Sequence, residues 1–168
     1  MIRHNRWLYA IGTASVVAAG SVSAQMEGKP APAFTLKTLD GLRDSLSHYS
    51  GRPVLINFWA TWCEPCRTEM PLLVAAYQTH QGEKLTVLAI DLTEQERSTK
   101  EIRKFATEFQ MPFPVLLDQK GKARRLYALR SLPTSVFVGT DGVVRSVNSG
   151  PITAPALRQH LSEILPDH

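Results

Sequence analysis

The segment NFWATWCEPCRTEMP, Asn57 to Pro71, contains both cysteines of the 168-residue chain, Cys63 and Cys66. Two thiols with two residues between them can form a staple, a metal clip or a redox couple. A disulfide across so short a loop removes little chain entropy, so stabilisation is not its main purpose. A closed zinc site takes four ligands. The histidines are His4, His48, His80, His160 and His168; none lies within a few residues of a cysteine or has the spacing of a helical ligand pair. No metal is therefore assigned, although copper(I), which accepts two thiolates, stays open. Redox chemistry fits best. Cys63 falls where a strand-like run meets a helix-like one, and the unpaired N–H groups and dipole of a helix start stabilise a thiolate there. Cys66 lies in the first turn beneath it. Cys63 is expected to attack a partner disulfide and Cys66 to resolve the mixed disulfide. Pro65 is tolerated because the first turn has no acceptor for its missing N–H.

The elements that position this pair can be read around it. PVLINFWA is a continuous apolar run of strand length, as expected for a strand buried on both faces. After it, Cys66, Met70, Leu73, Val74 and Tyr77 recur at helical spacing. KLTVLAID reads as a second buried strand and FPVLLD as a third, short one. STKEIRKFATEF between them reads as a helix opened by a Ser98–Glu101 capping box. GKARRLYAL is a short helix, and TDG between TSVFVG and VVRSVNSG marks a hairpin. The last helix places Leu157, Leu161, Ile164 and Leu165 on one face, with Thr153 as cap and Pro166 as stop. FTLKTLDGL adds an N-terminal hairpin around Asp40-Gly41. Strands alternating with helices predict a parallel centre, and the final hairpin an antiparallel edge: an α/β mixed sheet with helices on both faces.

The length suits one domain with a sizeable core. The formal charge of +4 includes Arg3 and Arg6 of the N-terminal segment, and no basic block suggests nucleic acid. Residues 1–24 have the parts of an export signal: the two arginines, a short apolar stretch from Trp7 to Ala19, and Val22 and Ala24 at the peptidase positions. Cleavage is expected, with retention as a membrane anchor the alternative. Either way the domain is expected in the periplasm, where disulfides persist. Residues 25–33 read as a Pro-rich linker and 34–168 as the domain.

FWATWCEPC resembles the active-site motif of the thioredoxin superfamily, and the chain from about Ala31 onward is most similar to its exported ResA/TlpA-like thiol-disulfide oxidoreductases. SLPTSVFV matches the segment carrying the family's cis-proline, at Pro133. Pro71 matches a helix-kinking proline, and Ser98 to Asp118 the central helix-strand insertion of this branch. The resemblance implies a thioredoxin-like fold. It also implies a substrate groove formed by Trp62, Leu132 and Pro133. Thioredoxin carries a buried aspartate where this chain has Asn57. ResA-like members instead carry a glutamate three residues after the second cysteine, and Glu69 stands there. One turn from Cys66, with its pKa raised by partial burial, Glu69 is the expected base for that thiol. Glu94 falls where such proteins have an acidic residue at a strand end near the site. Trp59 is expected in the core, and Glu64 in solvent.

The function implied is reduction of cysteine pairs in exported proteins, such as those of apocytochrome c or of copper sites. No cofactor is called for. The implied partners are a protein substrate carrying a disulfide or cysteine pair and a membrane electron donor of the disulfide-reductase type, with the protein itself a monomer. A disulfide-donating oxidase and a non-enzymatic Cu(I) chaperone are the alternatives. A peroxidase would want Pro-x-x-x-Thr-x-x-Cys, which Asn57 and Trp62-Cys63 do not fit.

Overall fold

The computed structural model describes residues 25–166; the expected export signal lies outside them. Seven strands form one mixed sheet in the order β2-β1-β5-β4-β3-β6-β7. They are β1 Thr35–Thr38, β2 Arg43–Ser45, β3 Val54–Trp59, β4 Thr86–Asp91, β5 Val115–Leu117, β6 Thr134–Val138 and β7 Val144–Ser149. The helices are α1 Glu64–Thr79, α2 Thr99–Glu108, α3 Lys122–Leu126 and α4 Ala154–Ser162. As the pattern predicts, β3, β4 and β5 run parallel and β6–β7 is an antiparallel hairpin. Gly142, at φ 77°, turns that hairpin. The N-terminal hairpin β1–β2 joins the sheet through an antiparallel pairing of β1 with β5.

Every residue of β3 and β4 is buried, because the sheet is covered on both faces. Alternation along the strands divides the core in two. Leu55 and Trp59 of β3 and Val87 and Ala89 of β4 face a layer built by α1, α2 and α4, with Met70, Leu73, Ile102, Phe105, Leu157 and Leu161 as its centre. Ile56, Phe58, Leu88 and Ile90 face the other way, onto Phe34, Ala123 and Tyr127. Trp59 is fully buried and packs on Phe105 with ring centroids 4.3 Å apart. Arg67 of α1 ties the two helices together. Its guanidinium lies 5.1 Å from the ring centroids of both Phe105 and Phe109 and pairs with Glu108.

Two expectations differ from what the fold does. Ser98 is the N-cap of α2, but its side chain makes no capping bond; only its carbonyl accepts from Glu101 N–H. Residues 25–33 are not a free tether. Gly28 N–H donates to Val144 O, Ala31 N–H to Gly142 O, and Val144 N–H to Lys29 O, each at 2.9 Å. Pro30 thereby bridges Val143, just before β7, on its outer edge, and Met26 packs on the second core layer. Composition made this stretch look like linker, but edge pairing uses backbone groups that any residue other than proline supplies in full.

Candidate active site

Strand β3 delivers the chain to the C-terminal edge of the sheet, and four residues separate its last residue, Trp59, from the start of α1. Cys63 is the N-cap of α1, with extended backbone, and its Sγ accepts the Cys66 N–H at 3.2 Å. The sulfur therefore occupies the place usually taken by a Ser or Asp oxygen, facing the positive end of a sixteen-residue helix. Cys63 and Cys66 are joined as a disulfide. Cys66 is fully buried, whereas Cys63 keeps a narrow exposure of 5%. Beside it, Trp62 stands 57% exposed. A groove of about 410 Å³ opens there, with Trp62, Cys63, Leu92, Arg124, Leu129 and Leu132 among its walls. Of the expected groove residues, Trp62 and Leu132 thus meet at Cys63. Pro133 is buried behind them, joined to Leu132 by a cis peptide bond, and its carbonyl accepts from Gly150 N–H. Glu64 is exposed at the helix start.

Glu69 is only 2% exposed, on the inner face of α1 one turn beyond Cys66. Asn57 Nδ2 donates to its Oε1 at 2.9 Å, and Ile152 N–H donates to its Oε2 at 2.9 Å. Burial pushes its pKa up, and those two donors only partly offset the rise. Asn57 is itself fully buried in β3 and also donates to Ser135 Oγ on β6, at 3.1 Å. The position of the missing thioredoxin carboxylate is thus occupied by an amide that holds a carboxyl brought in from the helix.

Glu94, expected near the site, is engaged by an arginine of the groove wall. Its carboxylate pairs with Arg124 Nε at 2.9 Å and lies so close over Gly121 that a Cβ there would collide with it. The acid that reaches the cysteine loop is Glu96. It accepts from both Thr61 N–H and Thr61 Oγ1 at 2.6 Å. Behind it lies Asp91, fully buried at the end of β4, with a pKa pushed up to about 8, chiefly by burial. Neither residue stood out in the sequence. The signal that could have found them is topological: β3 and β4 are parallel neighbours, so the loop after β4 must face the loop after β3. Among the described residues no three His, Cys, Asp or Glu side chains are grouped as metal ligands.

Residues 28–147 match the AhpC/TSA family. The thioredoxin-like protein YneN of Bacillus subtilis is 42% identical over 135 residues, which are 80% of this chain and 78% of that protein. The thiol-disulfide oxidoreductase ResA of Geobacillus thermodenitrificans is 34% identical over 139 residues, 83% of this chain and 78% of its own length. The crystal structure of StoA from Bacillus subtilis superposes with a TM-score of 0.67 at 27% identity, over 78% of this chain and 97% of that one. A disulfide-bonded Cys-x-x-Cys pair capping a helix, in a thioredoxin-like sheet shared with these relatives, places the chain in the AhpC/TSA family as a thiol-disulfide oxidoreductase of the ResA type.

Proposed function

We propose that the protein is exported to the periplasm and there reduces disulfides in particular protein substrates, with Cys63 attacking and Cys66 resolving. The observation that carries this reading is the asymmetry of the pair. Cys63 caps the helix beside an open groove, whereas Cys66 is buried one turn from a buried carboxyl. In the reduced protein the Cys63 thiolate attacks one sulfur of the substrate disulfide. That S–S bond breaks, and the departing substrate sulfur takes a proton. Glu69 then accepts the Cys66 proton, and the Cys66 thiolate attacks Cys63 Sγ. The substrate leaves with both sulfurs reduced, and the protein keeps the Cys63–Cys66 disulfide. Two electrons have passed to the substrate. A membrane disulfide reductase returns them, which keeps the cycle running in an oxidising compartment.

The leader in residues 1–24 supports export. The resemblance to ResA/TlpA-like oxidoreductases implies restricted targets, of which cysteine pairs of apocytochrome c or of copper sites are the leading class. Two measurements test the reading together: the reduction potential of the Cys63–Cys66 couple, and the thiol state of the exported protein by alkylation in whole cells. A reductase has a potential toward the thioredoxin end of the range, about −270 mV, and is found largely reduced. A potential toward about −120 mV with a fully oxidised pool would make the protein a disulfide donor instead.

A further inference from the structure

The loop between β3 and α1 is held from outside the motif. Thr61 immediately precedes Trp62 and Cys63, and its N–H and hydroxyl both end on one carboxylate, Glu96, at 2.6 Å. Both bonds are short, and they end on the two oxygens of one carboxyl group. Glu96 in turn lies within hydrogen-bonding reach of the Asp91 carboxyl. Two carboxylates cannot share that contact unless a proton lies between them. Asp91 is the group suited to carry it. It is fully buried, Thr93 Oγ1 donates to its Oδ1 at 2.8 Å, and its Oδ2 finds no donor. A buried oxygen without a donor is costly as a carboxylate and acceptable as a hydroxyl.

We propose that Asp91 and Glu96 form a proton-held clamp that positions Thr61, and through it Trp62 and Cys63, for thiol-disulfide exchange. Asp91 donates its proton to Glu96. Glu96 accepts from the Thr61 N–H and hydroxyl. The loop therefore enters α1 along a fixed path, on which Cys63 N–H also donates to Ala60 O at 3.2 Å. Both acids act through Thr61 and are positioning residues; neither touches a sulfur.

The other charges around Asp91 act in the same sense or are already engaged. Asp118, at the end of β5, is fully buried and raises the Asp91 pKa further, while its own Oδ2 accepts from Arg124 N–H at 2.8 Å. The Arg124 guanidinium is turned to Glu94. The charges of Glu96 and Asp118 both act to hold the Asp91 proton. As the pH passes about 8, the value to which burial raises Asp91, two adjacent carboxylates result. Glu96, half-buried, then turns toward water and releases Thr61.

The clamp is tested in the oxidised protein, where neither cysteine titrates and the direction of electron flow is irrelevant. The probe is the Thr61 amide resonance in proton–nitrogen correlation spectra, followed from neutral pH to about pH 10. In the unmodified protein it should move upfield in a one-proton step centred near pH 8, in parallel with the Asp91 side-chain carboxyl carbon. Asp91→Asn supplies a permanent donor, so the step should vanish and the downfield position persist. Glu96→Gln should leave the amide upfield at every pH. In the reduced protein, exchange with a small aromatic disulfide is divided by the thiolate fraction from ultraviolet absorbance. That ratio should fall several-fold above the transition in the unmodified protein and stay level in Asp91→Asn. A flat Thr61 resonance in the unmodified protein overturns the proposal, as does a step that survives in Asp91→Asn. Should Asp91→Asn not fold, the unmodified protein and Glu96→Gln decide the matter.

Discussion

At Cys63 and Cys66 one protein oxidation state hides a large chemical difference. The two residues share a disulfide, but only Cys63 borders the groove, and only Cys66 has a buried carboxyl one turn away. Cys66→Ser should therefore trap mixed disulfides, because Cys63 still attacks and nothing resolves the product. Non-reducing gels of cells producing the variant should show adducts that disappear with reductant, and Cys63→Ser should show none. Adducts with Cys63→Ser alone would reverse the roles. Glu69→Gln probes the proton rather than the electrons. Gln keeps the size of the side chain but presents an amide N–H₂ to a cage made of two donors, Asn57 Nδ2 and Ile152 N–H. The fold and the disulfide should persist, with resolution by Cys66 slower by about 100-fold, as expected when a general base is removed. Alkylation of the reduced protein against pH should lose the feature that Glu69 contributes, and an unchanged profile would reduce Glu69 to a structural residue. The cysteine pair was legible in the sequence from its spacing at a helix start, and Glu69 came from the resemblance to ResA-like proteins, with one helical turn placing it beside Cys66. Asp91 and Glu96 were not legible, because the Glu96 contact with Thr61 spans 35 residues and exists only once β3 and β4 lie side by side.

Among the elements, those that bury a regular pattern were legible, and those that rest on backbone pairing or on a single rotamer were not. The all-buried strands β3 and β4 and the amphipathic α1 follow directly from their apolar spacing. The Ser98 cap fails because a capping box needs one side-chain rotamer, which the motif permits but does not impose. The stretch Gln25–Ala33 was misread because its prolines and small residues describe a loop, while its role is to cover the edge of β7. Removing residues 25–31 deletes two backbone hydrogen bonds to Val144 of β7, one to Gly142 of the hairpin turn and the Met26 contact, and bares that edge. At about 1 kcal/mol net per bond, the loss should be about 2–4 kcal/mol. Thermal unfolding of the oxidised domain begun at Gln25 and at Pro32 should show the lower midpoint for the shorter form. The shorter form should also self-associate, since an open edge strand is a template for pairing. Equal midpoints would make the segment a bystander.

For the molecule as a whole, the site sets a dependence of stability on pH. Two buried carboxyls, Glu69 and Asp91, have pKa values raised above their ordinary 4.5 and 3.8, in each case chiefly by burial. Within the window between the ordinary and the raised values, the folded chain holds protons that the unfolded chain has released. Stability must therefore fall as the pH rises through that window. For Asp91 the window runs from 3.8 to about 8, and above it this contribution is constant. Asp141 has the opposite sign, since Arg145 holds its pKa below 3.8, but its contribution changes only in acid, outside this range. A one-unit shift corresponds to about 1.4 kcal/mol, so Asp91 alone costs a few kcal/mol at neutral pH after allowance for relaxation around the charge. The urea midpoint of the oxidised protein should thus decline steadily from weakly acidic pH to about pH 8 and then level. Asp91→Asn should raise the midpoint at neutral pH and flatten the decline, and Glu69→Gln should flatten what is left. A midpoint that rises with pH across the same range would mean that neither carboxyl holds its proton in the folded protein, and the clamp at Thr61 and the base at Cys66 would both lose their footing.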